Sequence, residues 1–190
     1  MTYLIAGLVI FLGVHSVAII APQFRTRARE RLGEGGWKGA YGLISLIGFV
    51  LIVEGFGLAQ QSPVVLYSPP SWMRHVTFLF MLPVFPLLLA AYLPGRIKSA
   101  AKHPMLAAVK FWAFGHLLAN GTLADVLLFG GFLAWAVVDR ISLKRRPPQA
   151  LRTVLPGRFN DLAAVVLGLV LYGSFVGWLH VRLFGVSPLG

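Results

Sequence analysis

Two histidines and a lysine interrupt HPMLAAVKFWAFGHLLANG, His103 to Gly121, a stretch otherwise apolar enough to sit in lipid. Imidazole can ligate a metal through one nitrogen and donate the other N–H to a supporting acceptor. Ionisable groups inside a bilayer are costly unless paired, so such a segment is the first place to look for function. On a helix, His103 and His116 stand roughly 20 Å apart, too far to grip one cofactor together. At about 100° per residue, His116 shares a face with Trp112 and Asn120, whereas His103 shares one with Lys110. The segment thus carries two polar stripes at different depths.

Four more side chains of this kind lie elsewhere: His15, Glu54, His75 and His180. Paired histidines from separate helices suit a b-type haem. Glu54 opposite a histidine would fix its ring, and with two histidines it would complete a non-haem iron site. Lys110 is suited to a haem propionate or to snorkelling toward the surface. For His75 and His180 hydrogen bonding near the head groups competes with ligation, and His103, just before Pro104, also fits the start of a helix. The 190 residues hold no cysteine, which removes disulfides, thiolate metal sites and thioether-linked haem.

These residues are positioned by a chain that is 57% hydrophobic, with a mean hydropathy of +0.78. That composition predicts an all-α integral membrane protein, a single domain over residues 1–190 forming a six-helix transmembrane bundle. The spans read as Thr2–Ala21, Gly39–Ala59, Trp72–Leu93, the His103–Gly121 stretch, Leu123–Val138 and residues 160–184. The first lacks a basic leader and a small-residue cleavage site, and reads as a retained helix. Pro83 and Pro86 predict a bend in the third span. RTRARERLGEGGWK reads as a charged loop, as does Asp139 to Arg158, and Asn160 and Asp161 as caps of the last helix. Gly35 with Gly39 and Gly173 with Gly177 have the spacing of close helix contacts.

The net charge of +11 fits topology better than nucleic acid. Lys and Arg gather after the first, third and fifth spans, which predicts six crossings with both termini periplasmic and lipid as partner. This orientation puts His15, His103 and Lys110 in an inner tier. Glu54, His75, His116, Asn120 and His180 fall in an outer one, with Arg74 at its edge.

At HP…KFWAFGHLLANG, at VHS around His15 and at PPSWMRH, the sequence resembles the NnrU family of bacterial membrane proteins, named for an association with nitrite and nitric oxide reduction. The resemblance implies an inner-membrane location and extends to the zeta-carotene isomerase, a haem b enzyme that turns a cis double bond trans. Through it, His15 and His116 match proposed axial ligands, and His103 and Pro104 match a histidine-proline pair. A cysteine of that relative is replaced here by Ala113. The depth reading displaces His15 from His116 by roughly 10 Å along the membrane normal, which keeps His75 and His180 as rival partners of His116.

Three functions follow: a haem b protein of denitrification that binds nitric oxide or passes electrons, a haem-dependent isomerase of a carotenoid-like polyene, and a small transporter or assembly factor. No phosphate-binding glycine loop, dinucleotide fingerprint or Ser-His-Asp context is present. Substrate, catalytic residues and oligomeric state are not encoded in any motif.

Overall fold

The computed structural model describes residues 1–146 and 157–190; residues 147–156, including Arg152 of the last basic loop, lie outside it. The described residues are helical, apart from loops and one isolated bridge between Val65 and Thr122. Five helical stretches are long and apolar enough to cross a membrane: Thr2–Ile20, Pro22–Gln60, Met73–Tyr92, Leu123–Arg145 and Asn160–Phe184. The helix that carries His116, Pro104–Ala119, has only 16 residues. It rises about 24 Å, short of the ~20 residues an upright crossing needs. The structure thus gives five spans of full length where the sequence predicts six.

The chain divides into two compact units, the first made of residues 1–68 and 121–144, the second of residues 69–120 and 145–190. In the first, α1 (Thr2–Ile20) and α2 (Pro22–Gln60) are joined by Ala21 alone and fold back antiparallel. Glycine sets their separation. A Cβ on Gly7 would stand 2.6 Å from the Ile52 amide nitrogen, and one on Gly48 2.8 Å from that of Phe11; Gly55 meets the Leu4 backbone in the same way. Without a hydrophobic drive between helices in lipid, such close backbone approach is what holds them. Gly35, Gly39, Gly173 and Gly177, the expected contact points, have nothing within 4 Å of a would-be Cβ. Spacing alone misplaced the seam, because the pairing is between glycines and a facing backbone and not between glycines four apart on one helix.

The expected charged loop is helical. α2 begins with Pro22 at its first position and runs through Arg, Ala, Glu and Leu, all good helix formers, before Gly33 breaks it at φ 71°. The long third helix of this unit, Leu123–Arg145, likewise continues seven residues beyond the expected Val138, and its basic end suits the helix dipole. Phe129, Phe132 and Trp135 on that helix meet Phe56, Phe11 and His15, so it runs parallel to α1.

In the second unit, α3 (Met73–Met81) and α4 (Val84–Tyr92) are separate helices divided at Leu82 and Pro83. Pro86, in the first turn of α4, needs no partner for its missing N–H and breaks nothing; it packs instead on Gly168. Short α5 (Arg96–Ala101) leads to α6 (Pro104–Ala119), and with α7 (Leu123–Arg145) assigned to the first unit, α8 (Asn160–Ser174) follows. A π-helical turn over Phe175–Leu179 joins α8 to α9 (His180–Phe184). Asn160 and Asp161 do not cap their own helix. The Asp161 carboxylate accepts from the Arg96 and Ile97 amides at 2.8 and 3.0 Å, capping α5, while the Asn160 amide donates to the Pro94 carbonyl.

Large apolar side chains such as Ile20, Leu79 and Tyr92 stand more than two-thirds exposed, and Leu4 is the only large side chain that is fully buried among the described residues. That inversion of a water-soluble pattern is what a lipid-facing surface requires.

Candidate functional site

His15 lies on α1, where its Nδ1 sits 2.7 Å from the Phe11 carbonyl one turn back and its ring stacks on Phe11 at 4.2 Å. With Nδ1–H donating to that carbonyl, the lone pair is on Nε2, the form in which imidazole ligates a metal. Tyr41 and Trp135 flank the ring edge-on, with centroids at 5.2 and 6.0 Å. The Trp135 indole N–H is buried and has no acceptor among the described residues. An orphaned donor of this kind calls for a partner beyond the described residues, such as a water or a ligand.

One wall of a cleft is formed by His15. Val14, Val17 and Ala18 of α1 face Arg25, Arg29, Glu34, Trp37, Lys38 and Tyr41 of α2 across a volume of about 320 Å³. Gly33 turns the chain so that Glu34 reaches both sides, bound to Arg29 at 2.5 Å and Lys38 at 3.2 Å. Those two cations, hydrogen-bonded to its oxygens, hold the Glu34 carboxyl below the usual carboxylate range.

His116 repeats the local motif on α6: its Nδ1 sits 3.1 Å from the Trp112 carbonyl, and the Trp112 ring lies at 5.6 Å. Asn120, on the expected face, ends the helix, its side-chain amide donating to the His116 carbonyl at 2.9 Å. Beside His116, the carbonyl of Gly115 accepts from Thr77 Oγ1 at 3.0 Å, and Gly115 itself abuts Phe80 and Met81. The residue before His116 is thus a point of close contact between α3 and α6.

The other expected residues are placed as follows. His103 is the residue preceding α6, with Pro104 in the first turn, the position anticipated for a helix start. Lys110 is half-buried on α6 and forms no ion pair among the described residues. His75 is exposed, with Phe78 at 6.3 Å. His180 has Nδ1 2.7 Å from the Val186 carbonyl and Phe184 at 5.0 Å. Glu54 is exposed on α2. Among the described residues no three His, Asp or Glu side chains gather to hold a metal ion, so a site completed by Glu54 and two histidines does not form among them. His15 and Glu54 belong to the first unit; His75, His103, Lys110, Trp112, His116, Asn120 and His180 belong to the second.

Asp125, absent from the sequence-based set, is the buried acid among the described residues, 4% exposed. It accepts from the Thr122 amide and hydroxyl at 2.9 and 2.6 Å, while its own amide donates to that hydroxyl at 3.2 Å. Gln60 Nε2 approaches its other oxygen at 3.3 Å. The Thr-Leu-Ala-Asp run before an apolar stretch is a capping-box signature and was readable from the sequence. It marks a structural role.

Five long apolar helices and a surface of exposed aliphatic side chains define an all-helical, multi-pass membrane protein. The profile of the NnrU protein family matches residues 3–188, nearly the whole chain, and the protein belongs to that family. No curated protein and no solved structure matches it.

Proposed function

We propose that the protein binds haem b in the bacterial inner membrane and serves nitrite and nitric oxide metabolism, with His15 and His116 as the residues that would hold the iron. The observation that carries this reading is the hydrogen bond shared by the two rings, Nδ1 to the carbonyl of residue i−4, at 2.7 and 3.1 Å. Such a bond fixes the tautomer and orients the ring, as a supporting shell does for a metal ligand. Each ring taken by itself suits an iron porphyrin: an imidazole with an aromatic neighbour in each unit, no thiolate in the chain and, beside His15, a buried indole N–H with no acceptor among the described residues. Bound haem would supply an iron able to pass an electron, or to take nitric oxide once one of the two histidines gives up its place. The protein's part is to present Nε2 and to exclude water with Phe11, Tyr41, Trp112 and Trp135.

Reduced-minus-oxidised difference spectroscopy of the purified chain tests this. A b-type band with about one iron per protein is expected; a flat spectrum with negligible iron overturns it. The isomerase implied by the same resemblance would use the same ligands. Conversion of a cis polyene by the ferrous protein distinguishes it, and activity retained without metal would favour a transporter.

Six crossings, with α6 as the short one, and both termini periplasmic complete the reading, supported by the fourteen Lys and Arg in the three connecting segments that this orientation makes cytoplasmic. Since the chain has no cysteine, single cysteines at Ser99 and Ser187 report sidedness directly. Labelling of Ser187→Cys, but not Ser99→Cys, from the periplasm is expected.

A further inference from the structure

The cleft beside His15 has a polar and an apolar side. Arg25, Arg29 and Lys38 line it against a single carboxylate, Glu34, leaving a surplus of two positive charges. Both oxygens of Glu34 are committed, one to Arg29 and one to Lys38, whereas Arg25 makes no ion pair among the described residues and is half-buried. The opposite wall, Val14, Val17 and Ala18, is aliphatic and belongs to a helix with the composition of a membrane span. The side chains of Arg29, Glu34 and Lys38 are 39%, 56% and 71% exposed, so the charged rim is open to incoming groups. Cations at the end of a span, beside an aliphatic wall, match a ligand with an anionic head and an apolar tail.

We propose that this cleft is a specific site for one anionic phospholipid, its phosphodiester held by Arg25 with Arg29 and Lys38, and an acyl chain against Val14, Val17 and Ala18. Glu34 competes with the phosphate for two of the three cations while holding the rim together across the break at Gly33. The site needs no metal and lies wholly within the first unit, but it borders the haem reading at His15 and Tyr41, which line the same cleft.

Native mass spectrometry of the full-length protein, titrated with dioleoyl phosphatidylglycerol and with dioleoyl phosphatidylcholine, tests it. One phosphatidylglycerol is expected to bind in preference to phosphatidylcholine. Arg25→Gln should weaken it about fivefold and Arg25→Gln with Lys38→Gln about 25-fold, given the typical contribution of one basic group near an anionic head. Glu34→Gln should tighten it by a similar single step, a change of sign that loss of folding does not mimic. Lys144→Gln, in a different basic cluster, should leave it unchanged. Equal binding by the wild type and the double variant overturns the proposal, as does a loss in Lys144→Gln matching that in Arg25→Gln, which would mean a diffuse field. If the double variant loses haem yet keeps phosphatidylglycerol, the cleft holds a haem carboxylate and the lipid site falls.

Discussion

The two ring environments share one hydrogen bond and differ in nearly everything else. His15 is carried by a pair of helices whose backbones touch through Gly7, Gly48 and Gly55, and it opens on a cationic cleft. His116 is carried by a short helix locked to α3 through Thr77 and Gly115, near the asparagine that ends it. A histidine is positioned in two ways here: by two helices brought together at glycines, or by one helix pinned with a polar side chain at a glycine. The first makes its close approaches at three glycines along the pair, the second at one.

The largest effect expected concerns the rings themselves. His15→Ala and His116→Ala should each remove the low-spin b-type spectrum; if only one does, the other ring's tautomer bond is structural and the parallel fails. Next come the glycines. Gly7→Val should destabilise by roughly 2–3 kcal/mol through overpacking against the Ile52 amide, read as thermal unfolding by tryptophan fluorescence in detergent. Gly35→Ala, in open space, should stay within about 0.5 kcal/mol. A similar loss in both would show that the seam is not where the close contacts put it.

Asp125→Ala should cost about 1–2 kcal/mol, since it strands the Thr122 amide and undoes the capping box at the start of α7. Thr77→Val should cost about 1 kcal/mol and perturb the spectrum through His116, leaving the His15 side unmoved. A spectral change without a stability change would place Thr77 nearer the iron than to the seam. The smallest effect belongs to Trp135→Phe. Without a ligand it should be neutral or stabilise by up to about 1 kcal/mol, because it deletes a buried N–H that has no acceptor among the described residues. In the haem-loaded protein the same change should destabilise, and equal behaviour in both forms would mean that no ligand reaches the indole.

Much of the fold was legible in the sequence because lipid imposes a simple code. Pro22 ended α1 as read, and Pro83 divided α3 from α4 where a missing N–H demands it. What escaped was set by contacts between segments. The Arg-rich run after Pro22 reads as a loop by charge but is helical by propensity, and only the left-handed Gly33 interrupts it. Asn160 and Asp161 look like caps of their own helix, yet Asp161 serves α5, some 64 residues away in the chain, a partner that local spacing cannot disclose. The histidine positions were legible as residue types. Their Nδ1 bonds were not, because whether a histidine turns back to the carbonyl of residue i−4 depends on its rotamer and on the rings packed around it, such as Phe11 beside His15.

The 16 residues of α6 have a consequence for the surroundings of the protein. With α6 as the sixth crossing proposed above, a rise of about 24 Å falls some 6 Å short of a typical hydrocarbon layer, and the lipids around this helix would shorten to meet it. Head groups and water are then drawn inward at both ends, toward Lys102 and His103 at one and Asn120 at the other. On that proposal the mismatch gives a polar solute a thinner barrier to cross at this helix than elsewhere around the protein, and reconstitution in thick, long-chain bilayers should weaken that advantage.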